Sequence, residues 1–164
     1  TRRAVALLKQ VNGVRLWVVN LHLKSSCHGK SLAPAQSLDC QVLRQQRDAL
    51  EEWVDQQYAK GIPLVLMGDF NRRFDLHLDR DHFWMELDDH EPTGLDLMRL
   101  PFRQPSSCGE HAGDHPIDFF VFDRAAWSMV DRDSFAELVY APEHLALGHR
   151  ISDHCPISVT LEIP

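Results

Sequence analysis

The feature that most limits the fold of this chain is a short apolar run, Leu64-Val65-Leu66-Met67-Gly68, which ends directly in Asp69-Phe70-Asn71. A continuous apolar run of this kind predicts a buried β-strand, here one that delivers polar residues at its tip. Ahead of it, apolar residues recur at helical spacing and predict a helix from about Leu38 to Lys60. Ser37 or Asp39 is expected to cap its start, and Gly61 stands where a helix commonly ends.

A hairpin is predicted at the start of the chain. Asn12-Gly13 separates the apolar segment from Ala4 to Leu8 from a second strand that runs to Lys24. In that second strand Asn20, His22 and Lys24 share one face, because side chains alternate along a strand. Three polar groups on one face near a strand end indicate the edge of a functional site.

The rest of the chain alternates strand-like segments with loops. A short helix is predicted around His82–Leu87, a loop from Pro101 to Pro116, and strands at Ile117–Phe122, Ser134–Tyr140 and Pro156–Ile163. No repeat, low-complexity tract or linker is present, so the sequence predicts one domain or part of one. Many strands with one long helix favour an α/β sandwich, with parallel or antiparallel pairing left open.

Charge and hydropathy exclude two broad classes. The chain of 164 residues has 17 basic and 24 acidic residues, a formal net charge of −7, and few of the basic residues are lysines. This balance argues against nucleic-acid binding through an extended basic surface, because the affinity of such binding scales with the number of phosphates neutralised. No apolar run approaches the roughly 18 residues of a membrane span, so no span is predicted.

Polar clusters made only of Asp, Asn and His sit at four predicted strand ends. They are Asn20-x-His22, Asp69-x-Asn71, Asp118 and Asp153-His154. Strand ends are held rigidly by a sheet, so distant clusters of this kind are expected to converge on one site. Carboxylate and amide oxygens suit Mg²⁺, Mn²⁺ or Ca²⁺, and a metal beside imidazoles suits phosphoryl chemistry.

Four motifs carry a family resemblance. Asn20-Leu21-His22-Leu23-Lys24-Ser25, Gly68-Asp69-Phe70-Asn71, Ile117-Asp118-Phe119-Phe120 and Ser152-Asp153-His154-Cys155-Pro156 resemble, in order, motifs of the endonuclease/exonuclease/phosphatase superfamily. The resemblance implies a hydrolase of phosphodiester or phosphomonoester bonds in which water attacks phosphorus directly, with no covalent enzyme intermediate. It implies a phosphate-ester substrate, with DNA, RNA, lipids and inositol phosphates all represented in the family.

The resemblance also implies roles for individual residues. His22 and His154 would be the catalytic histidines, with Asp118 orienting His22 and Asp69 orienting His154. A carboxylate fixes the tautomer of an imidazole and favours its charged form, so one histidine can act as base and the other as acid. Asn71 would donate to the phosphate or orient water.

The remaining roles concern metal and substrate. Asp153 would bind the divalent cation, Mg²⁺ or alternatively Mn²⁺ or Ca²⁺, which would offset charge on the phosphate during in-line displacement. Asn20 and Lys24 are candidates for phosphate contacts because they share the face of His22. Arg72, with Arg73, could hold a substrate phosphate or a nucleic-acid strand, and a plain surface pair is an equal alternative.

The chain departs from the family pattern in length. The family domain is longer, and its first half supplies an Asn and a metal-binding Glu for which these 164 residues have no place. Residues 1–164 are therefore expected to be the C-terminal portion of one domain, part of a four-layer α/β/β/α sandwich of the deoxyribonuclease-like type. Apolar faces are expected to be left uncovered, and the chain alone is expected to hydrolyse its substrate poorly or not at all.

Other interpretations of the same residues stay open. The motifs could serve a non-catalytic module that binds a ligand or partner. Cys108, His111 and His115 have a spacing that could bind zinc, although no fourth ligand is evident. An aspartate-rich stretch from Asp75 to Asp89 lacks the spacing of a calcium loop, so a solvated face is the better interpretation.

The four cysteines bear on the compartment. A bridge between Cys27 and Cys40 would close a loop of 14 residues and stabilise the fold by about 3 kcal/mol. It would indicate a periplasmic or secreted protein, whereas free thiols would indicate the cytoplasm. Cys155 is expected to be a buried thiol, and Cys108 has no assigned role.

Overall fold

A computed structural model of the protein describes residues 4–33, 37–77, 80–108, 112–141, 143 and 152–164. Its strands, in chain order, are β1 (Val5–Val11), β2 (Val14–His22), β3 (Leu64–Asp69), β4 (Leu97–Leu100), β5 (Asp118–Asp123), β6 (Val130–Glu137) and β7 (Ile157–Leu161). The α-helices are α1 (Leu38–Tyr58), α2 (His82–Leu87) and α3 (Arg124–Trp127), with a 3₁₀ helix at Phe74–His77.

Five strands form the main sheet, in the order β1-β2-β3-β5-β4. β2 and β3 are parallel, and the other neighbouring pairs are antiparallel, so the pairing left open by the sequence is mixed. The parallel pair follows from the long α1 connection between β2 and β3, which carries the chain back to the starting edge. The remaining two strands, β6 and β7, form a separate antiparallel sheet.

The predicted hairpin and helix are both confirmed. Asn12 and Gly13 have φ of 51° and 83°, and Val11 pairs with Val14 across the turn. Ser37, not Asp39, caps α1, because its side chain accepts a hydrogen bond from the backbone of Cys40. The sequence analysis missed β4, which it placed among polar and loop-like residues, because four residues next to Pro101 give too short an apolar pattern.

The two faces of the main sheet are buried by different elements. On one face, Val19, Leu21 and Leu66 pack with the apolar side of α1, which includes Leu43 and Val54. On the other face, a second cluster joins the sheet to α3 and to β6–β7; its members include Leu16, Val65, Phe122, Met129, Val159 and Leu161. The chain is thus a mixed α/β structure with the long helix α1 on one side of the main sheet, and with the short helix α3 and a small second sheet on the other.

Strand β1 differs from every other strand of the main sheet, because all seven of its residues are exposed. Four of them are large and apolar: Val5, Leu7, Leu8 and Val11. An exposed apolar edge strand presents unpaired backbone groups that readily accept a further strand. The uncovered apolar surface expected from the sequence is therefore concentrated at this edge.

Candidate active site

Three of the predicted catalytic residues form one row at one end of the three central strands of the main sheet. His22 is the register partner of Asp69 in β2–β3, and Asp69 is the register partner of Asp118 in β3–β5. Register partners project from the same face, and neighbouring strands lie about 4.8 Å apart. Val65 and Phe122 lie four residues from Asp69 and Asp118 on the same strands, so they project from the same face of the sheet. They pack toward β6–β7, and the row therefore faces that second sheet.

Each histidine is paired with a carboxylate, but the pairing is the reverse of the expected one. His22 Nε2 lies 3.3 Å from Asp69 Oδ2, and His154 Nδ1 lies 2.7 Å from Asp118 Oδ2. The sequence expectation that Asp118 orients His22 and Asp69 orients His154 is wrong. The register explains the difference, because β3 lies between β2 and β5 and places Asp69, not Asp118, beside His22.

His154 reaches the row from the segment that leads into β7, and several contacts hold that segment. Cys155 forms a disulfide with Cys108, the hydroxyl of Tyr140 donates to the carbonyl of His154, and Ser152 Oγ accepts from its backbone N–H. The expectation of a buried free thiol at Cys155 is therefore wrong. The zinc interpretation also fails, since Cys108 has no thiolate to offer; His111 lies outside the described residues.

The electrostatics of the His154–Asp118 pair follow from its partial burial. Burial alone would lower the pKa of His154, but the charge and hydrogen bond of Asp118, with Asp69 and Asp153 adding to them, leave that pKa raised. Burial raises the pKa of Asp118, and the charge and hydrogen bond of His154 offset only part of this effect. The pair therefore favours an imidazole that carries its proton over a wider pH range than a free histidine.

Asn71 lines the cavity, and its hydrogen bonds hold the carboxylate of Asp69. Its backbone N–H donates to Asp69 Oδ1 at 2.7 Å, and its side-chain Nδ2 donates to Asp69 Oδ2 at 2.6 Å and to the carbonyl of Leu23 at 3.0 Å. Both amide hydrogens are thus used within the protein, and the residue is buried. Its left-handed φ of 52° is one that asparagine tolerates well.

The three residues predicted to contact substrate lie elsewhere. Lys24 donates to Asp39 of α1, and Asn20 lies against Gly68, so neither lines the cavity at the catalytic row. Arg72 is 1% exposed, and its guanidinium donates to Asp81 and to the carbonyls of Cys27 and Lys30. Arg72 therefore stabilises the loop from Cys27 to Lys30, and none of the three residues lines the cavity at the catalytic row.

A cavity of about 480 Å³ opens above the row of His22, Asp69 and Asp118. His154 and Asp153 also line it, so the structure brings together the two histidines and the three carboxylates that the motifs singled out. Other polar residues of the lining, which come from loops and from β6, were not predicted from the sequence: His28, Gln104, Ser106, Asp114 and Glu137. No motif marks them, since their positions depend on how loops cross the sheet.

Carboxylates line this cavity, and carboxylate oxygens are ligands that hard divalent cations prefer. Asp69 and Asp118 are already engaged by Asn71 and the histidines, and Glu137 accepts from Ser106. Asp153 is exposed at the cavity and carries the carboxylate best placed to bind an ion. Mg²⁺ binds through one or two carboxylates together with substrate phosphate and waters, so a single carboxylate here is compatible with it.

A second group with metal-ligating atoms lies at the opposite end of the sheet. Ligand atoms of Asp88, His90 and Asp96 all lie within 4.8 Å of one another. Asp96 is adjacent to Leu97, the partner of Asp123 at the far end of β5 from Asp118, about 17 Å along the strand. Asp88 accepts from the backbone of Leu97, and Asp96 accepts from Arg124, so this group is separate from the catalytic row.

Comparisons with known proteins agree with this geometry. The model of the Endonuclease/Exonuclease/phosphatase family matches residues 2–154, which is nearly the whole chain. No curated protein matches the chain. In the part of the chain that the structure describes, none of the helices is long and apolar enough to cross a membrane. On this family match, the chain belongs to the endonuclease/exonuclease/phosphatase family.

Proposed function

We propose that this protein hydrolyses phosphodiester or phosphomonoester bonds with a divalent metal ion, by in-line attack of water. The observation that carries the proposal is the convergence of two histidine–carboxylate pairs, His22–Asp69 and His154–Asp118, on one cavity. Family members are usually hydrolases of phosphoester bonds, and they generally use divalent metals. Two oriented imidazoles in one cavity supply both proton transfers that hydrolysis needs.

The residues of the site would have separate roles in proton transfer and in orienting the imidazoles. One imidazole takes a proton from the attacking water, and the other gives a proton to the oxygen that leaves phosphorus. Asp69 and Asp118 fix the orientation of the two rings, and Asn71 in turn fixes Asp69 through two hydrogen bonds. The imidazoles thus need little rearrangement when the phosphate arrives, which is the main advantage of a preorganised site.

Asp153 would hold the metal, together with oxygens of the bound phosphate. The ion would offset the negative charge that develops on the phosphate as the water attacks. Mg²⁺ is the ion that this donor set favours, with Mn²⁺ and Ca²⁺ as alternatives. Candidate substrates are phosphate esters at large, including DNA, RNA, lipids and inositol phosphates.

The direct test is hydrolysis of bis(4-nitrophenyl) phosphate, followed by the natural substrate classes, by the natural gene product with each of the three metals. Asp69→Ala should abolish turnover without changing the far-ultraviolet circular dichroism spectrum, because its carboxylate orients His22 and is itself held by Asn71. A matched control is Asp96→Ala, which removes an aspartate at the other end of the sheet and should retain turnover. Full activity in Asp69→Ala, or in EDTA, would refute the mechanism.

The exposed strand β1 supports a further part of the proposal. We propose that its edge is covered in the working enzyme by the missing N-terminal portion of the domain, and that residues 1–164 alone are weakly active or inactive. The support is the exposure of both faces of β1, with Leu7 at 53% on one face and Leu8 at 45% on the other. Turnover by residues 1–164 equal to that of the natural gene product would contradict this proposal.

The disulfides support an exported protein. The predicted Cys27–Cys40 bridge is confirmed, and with Cys108–Cys155 it leaves no free cysteine among the residues described. Two bridges in a domain of this size indicate an oxidising compartment, and we propose the periplasm or the exterior of the cell. Alkylation of the natural protein without reductant should add no mass, and labelling of all four cysteines would contradict the proposal.

The alternative is a non-catalytic module that keeps the motifs and uses the cavity to bind a ligand or partner. It predicts that the natural gene product binds phosphate esters at this cavity and does not hydrolyse them under any metal. The hydrolysis screen separates the two functions, since only the enzyme gives turnover that disappears in Asp69→Ala.

A further inference from the structure

Two consecutive arginines after β3 have different surroundings, and the second one faces the catalytic cavity. The guanidinium of Arg72 is fully buried and makes its hydrogen bonds within the protein. The side chain of Arg73 is 34% exposed and lines the same cavity as His22, Asp69 and His154. Arg73 is thus the arginine that a bound substrate would meet.

Arg73 is the sole permanently charged cation among the described residues that line this cavity. The lining carries five acidic side chains: Asp69, Asp114, Asp118, Glu137 and Asp153. In so acidic a cavity, the guanidinium of Arg73 is a fixed positive charge that attracts an anionic substrate. Arg73 therefore has a large influence on which anions the cavity accepts.

The hydrogen bonds of Arg73 are incomplete along one edge of its guanidinium. Nη2 donates to Asp114 Oδ2 at 3.0 Å, while the neighbouring Nε is buried and has no hydrogen-bond partner. Nε and Nη2 together form the edge through which arginine binds a phosphate with two parallel hydrogen bonds. A buried donor without a partner is costly, so a small turn of the guanidinium that lets a phosphate reach Nε, in competition with Asp114 at Nη2, would be favourable.

His28 supplies a second polar atom of the same kind. Its Nδ1 is buried without a hydrogen-bond partner, and the residue lines the cavity beside Arg73, whose backbone N–H donates to the carbonyl of His28. Burial, followed by the charge of Arg73, lowers the pKa of His28, while Asp69 and a hydrogen bond to the backbone of Asn71 act in the opposite direction. Two unsatisfied buried nitrogens therefore lie on adjoining residues of one wall.

We propose that Arg73 and His28 form a subsite for a second phosphate group of the substrate, next to the phosphate that is hydrolysed. This inference rests on the proposed function and narrows its substrate to compounds with at least two phosphate groups. A cavity of about 480 Å³ has the size of a small-molecule site and leaves room for two such groups. The second phosphate could belong to a nucleic-acid strand or to a phosphorylated small molecule.

The test measures binding, so that it does not depend on turnover. Thymidylyl-(3′→5′)-thymidine, with and without a 5′-phosphate, is titrated by calorimetry with Mg²⁺ into the natural gene product carrying His154→Ala. The form with the second phosphate should bind about tenfold more tightly, a preference that one charge-assisted contact readily supplies. Adding Arg73→Gln should bring the two affinities within about twofold of each other.

Arg124→Gln is the matched control, because it removes an arginine–aspartate pair at the far end of the sheet and should leave the preference unchanged. A parallel pair, inositol 1-phosphate and inositol 1,4-bisphosphate, distinguishes the sources of the second phosphate. A preference in either pair that Arg73→Gln removes supports the subsite. Equal binding within both pairs, no binding at all, or a preference that survives Arg73→Gln with an unchanged melting temperature overturns it.

These outcomes are separate from those of the hydrolysis test. Loss of turnover in Asp69→Ala concerns the reaction, whereas the affinity ratio concerns the wall that carries Arg73 and His28. An inactive protein that still prefers the second phosphate through Arg73 would refute the proposed catalysis and retain the subsite. An active protein without that preference would support the proposed catalysis and refute the subsite.

Discussion

The two histidine–carboxylate pairs of this protein are built in different ways. His22 and Asp69 stand in register on adjacent parallel strands, so their approach follows from the backbone pairing of the sheet. His154 comes from the segment before β7 and reaches Asp118 through a contact of 2.7 Å, with the neighbouring Cys155 tied to Cys108. The first pair depends on the pairing of two strands, and the second depends on a disulfide that joins two loops, together with hydrogen bonds of the His154 segment.

The two histidine side chains also differ in solvent exposure. The side chain of His22 is 57% exposed and lies 3.3 Å from its carboxylate, whereas that of His154 is 36% exposed and lies closer to its partner. A pair formed by register needs little further support, because the strands already hold both residues. A pair formed by a loop loses its geometry when the contacts that hold the loop are removed. Three kinds of substitution test this contrast.

The largest effect is expected from the disulfides. Replacing Cys108 and Cys155 by alanine should lower the free energy of unfolding by about 4 kcal/mol, and replacing Cys27 and Cys40 by about 3 kcal/mol, because the first bridge closes the longer loop. The first pair of substitutions should also lower kcat, since it releases the segment that holds His154.

Urea unfolding and steady-state kinetics on the same preparations measure both quantities. The replacement of Cys27 and Cys40 is the matched control, because its bridge anchors the start of α1 and not the His154 segment. An equal loss of kcat in the two double variants would show that His154 does not depend on its own bridge.

A smaller effect is expected at Gly68, which lets β2 and β3 approach beside the His22–Asp69 pair. Gly68 has a φ of +122°, and an added Cβ would lie 2.3 Å from the carbonyl oxygen of Leu21. Gly68→Ala should therefore destabilise the fold by about 2–3 kcal/mol through backbone strain and a backbone clash.

Gly13→Ala is the control for that strain, because Gly13 also has a positive φ but nothing lies within 4 Å of the added Cβ. It should cost about 1 kcal/mol. Thermal and urea unfolding of both variants make the comparison, and equal costs at the two glycines would contradict the importance of the close approach.

The smallest effect is a change in the titration of His154. Asp118→Asn removes the carboxylate that, with Asp69 and Asp153, raises the pKa of His154, so the titration midpoint should move to lower pH. Since the folded-state pKa lies above the ordinary value of 6.5, the pair stabilises the fold below pH 6.5, and this contribution is lost as pH rises through the folded-state pKa.

Nuclear magnetic resonance of the histidine ring protons in the metal-free protein measures the midpoint directly. Asp96→Asn, at the far end of the sheet, is the control and should leave the midpoint of His154 in place. A midpoint that stays constant in Asp118→Asn would show that the 2.7 Å contact has no electrostatic consequence.

Local sequence was enough to predict the elements that carry the site. The Asn12-Gly13 turn, the helix that starts near Leu38 and the apolar run before Asp69 depend on local rules of turn and periodicity, and the structure confirms them. The motifs also identified two of the histidines and three of the aspartates that line the cavity. These features lie within a few neighbouring residues, where local sequence is sufficient.

Only the tertiary structure decided which of these residues contact one another. The strand order places β3 between β2 and β5, so Asp69 and not Asp118 pairs with His22. Arg72 and Arg73 are adjacent and chemically identical, yet one is buried on Asp81 and the other faces the cavity. Pairing across strands and the direction of each side chain in a loop depend on contacts between segments distant in sequence, which no local pattern encodes.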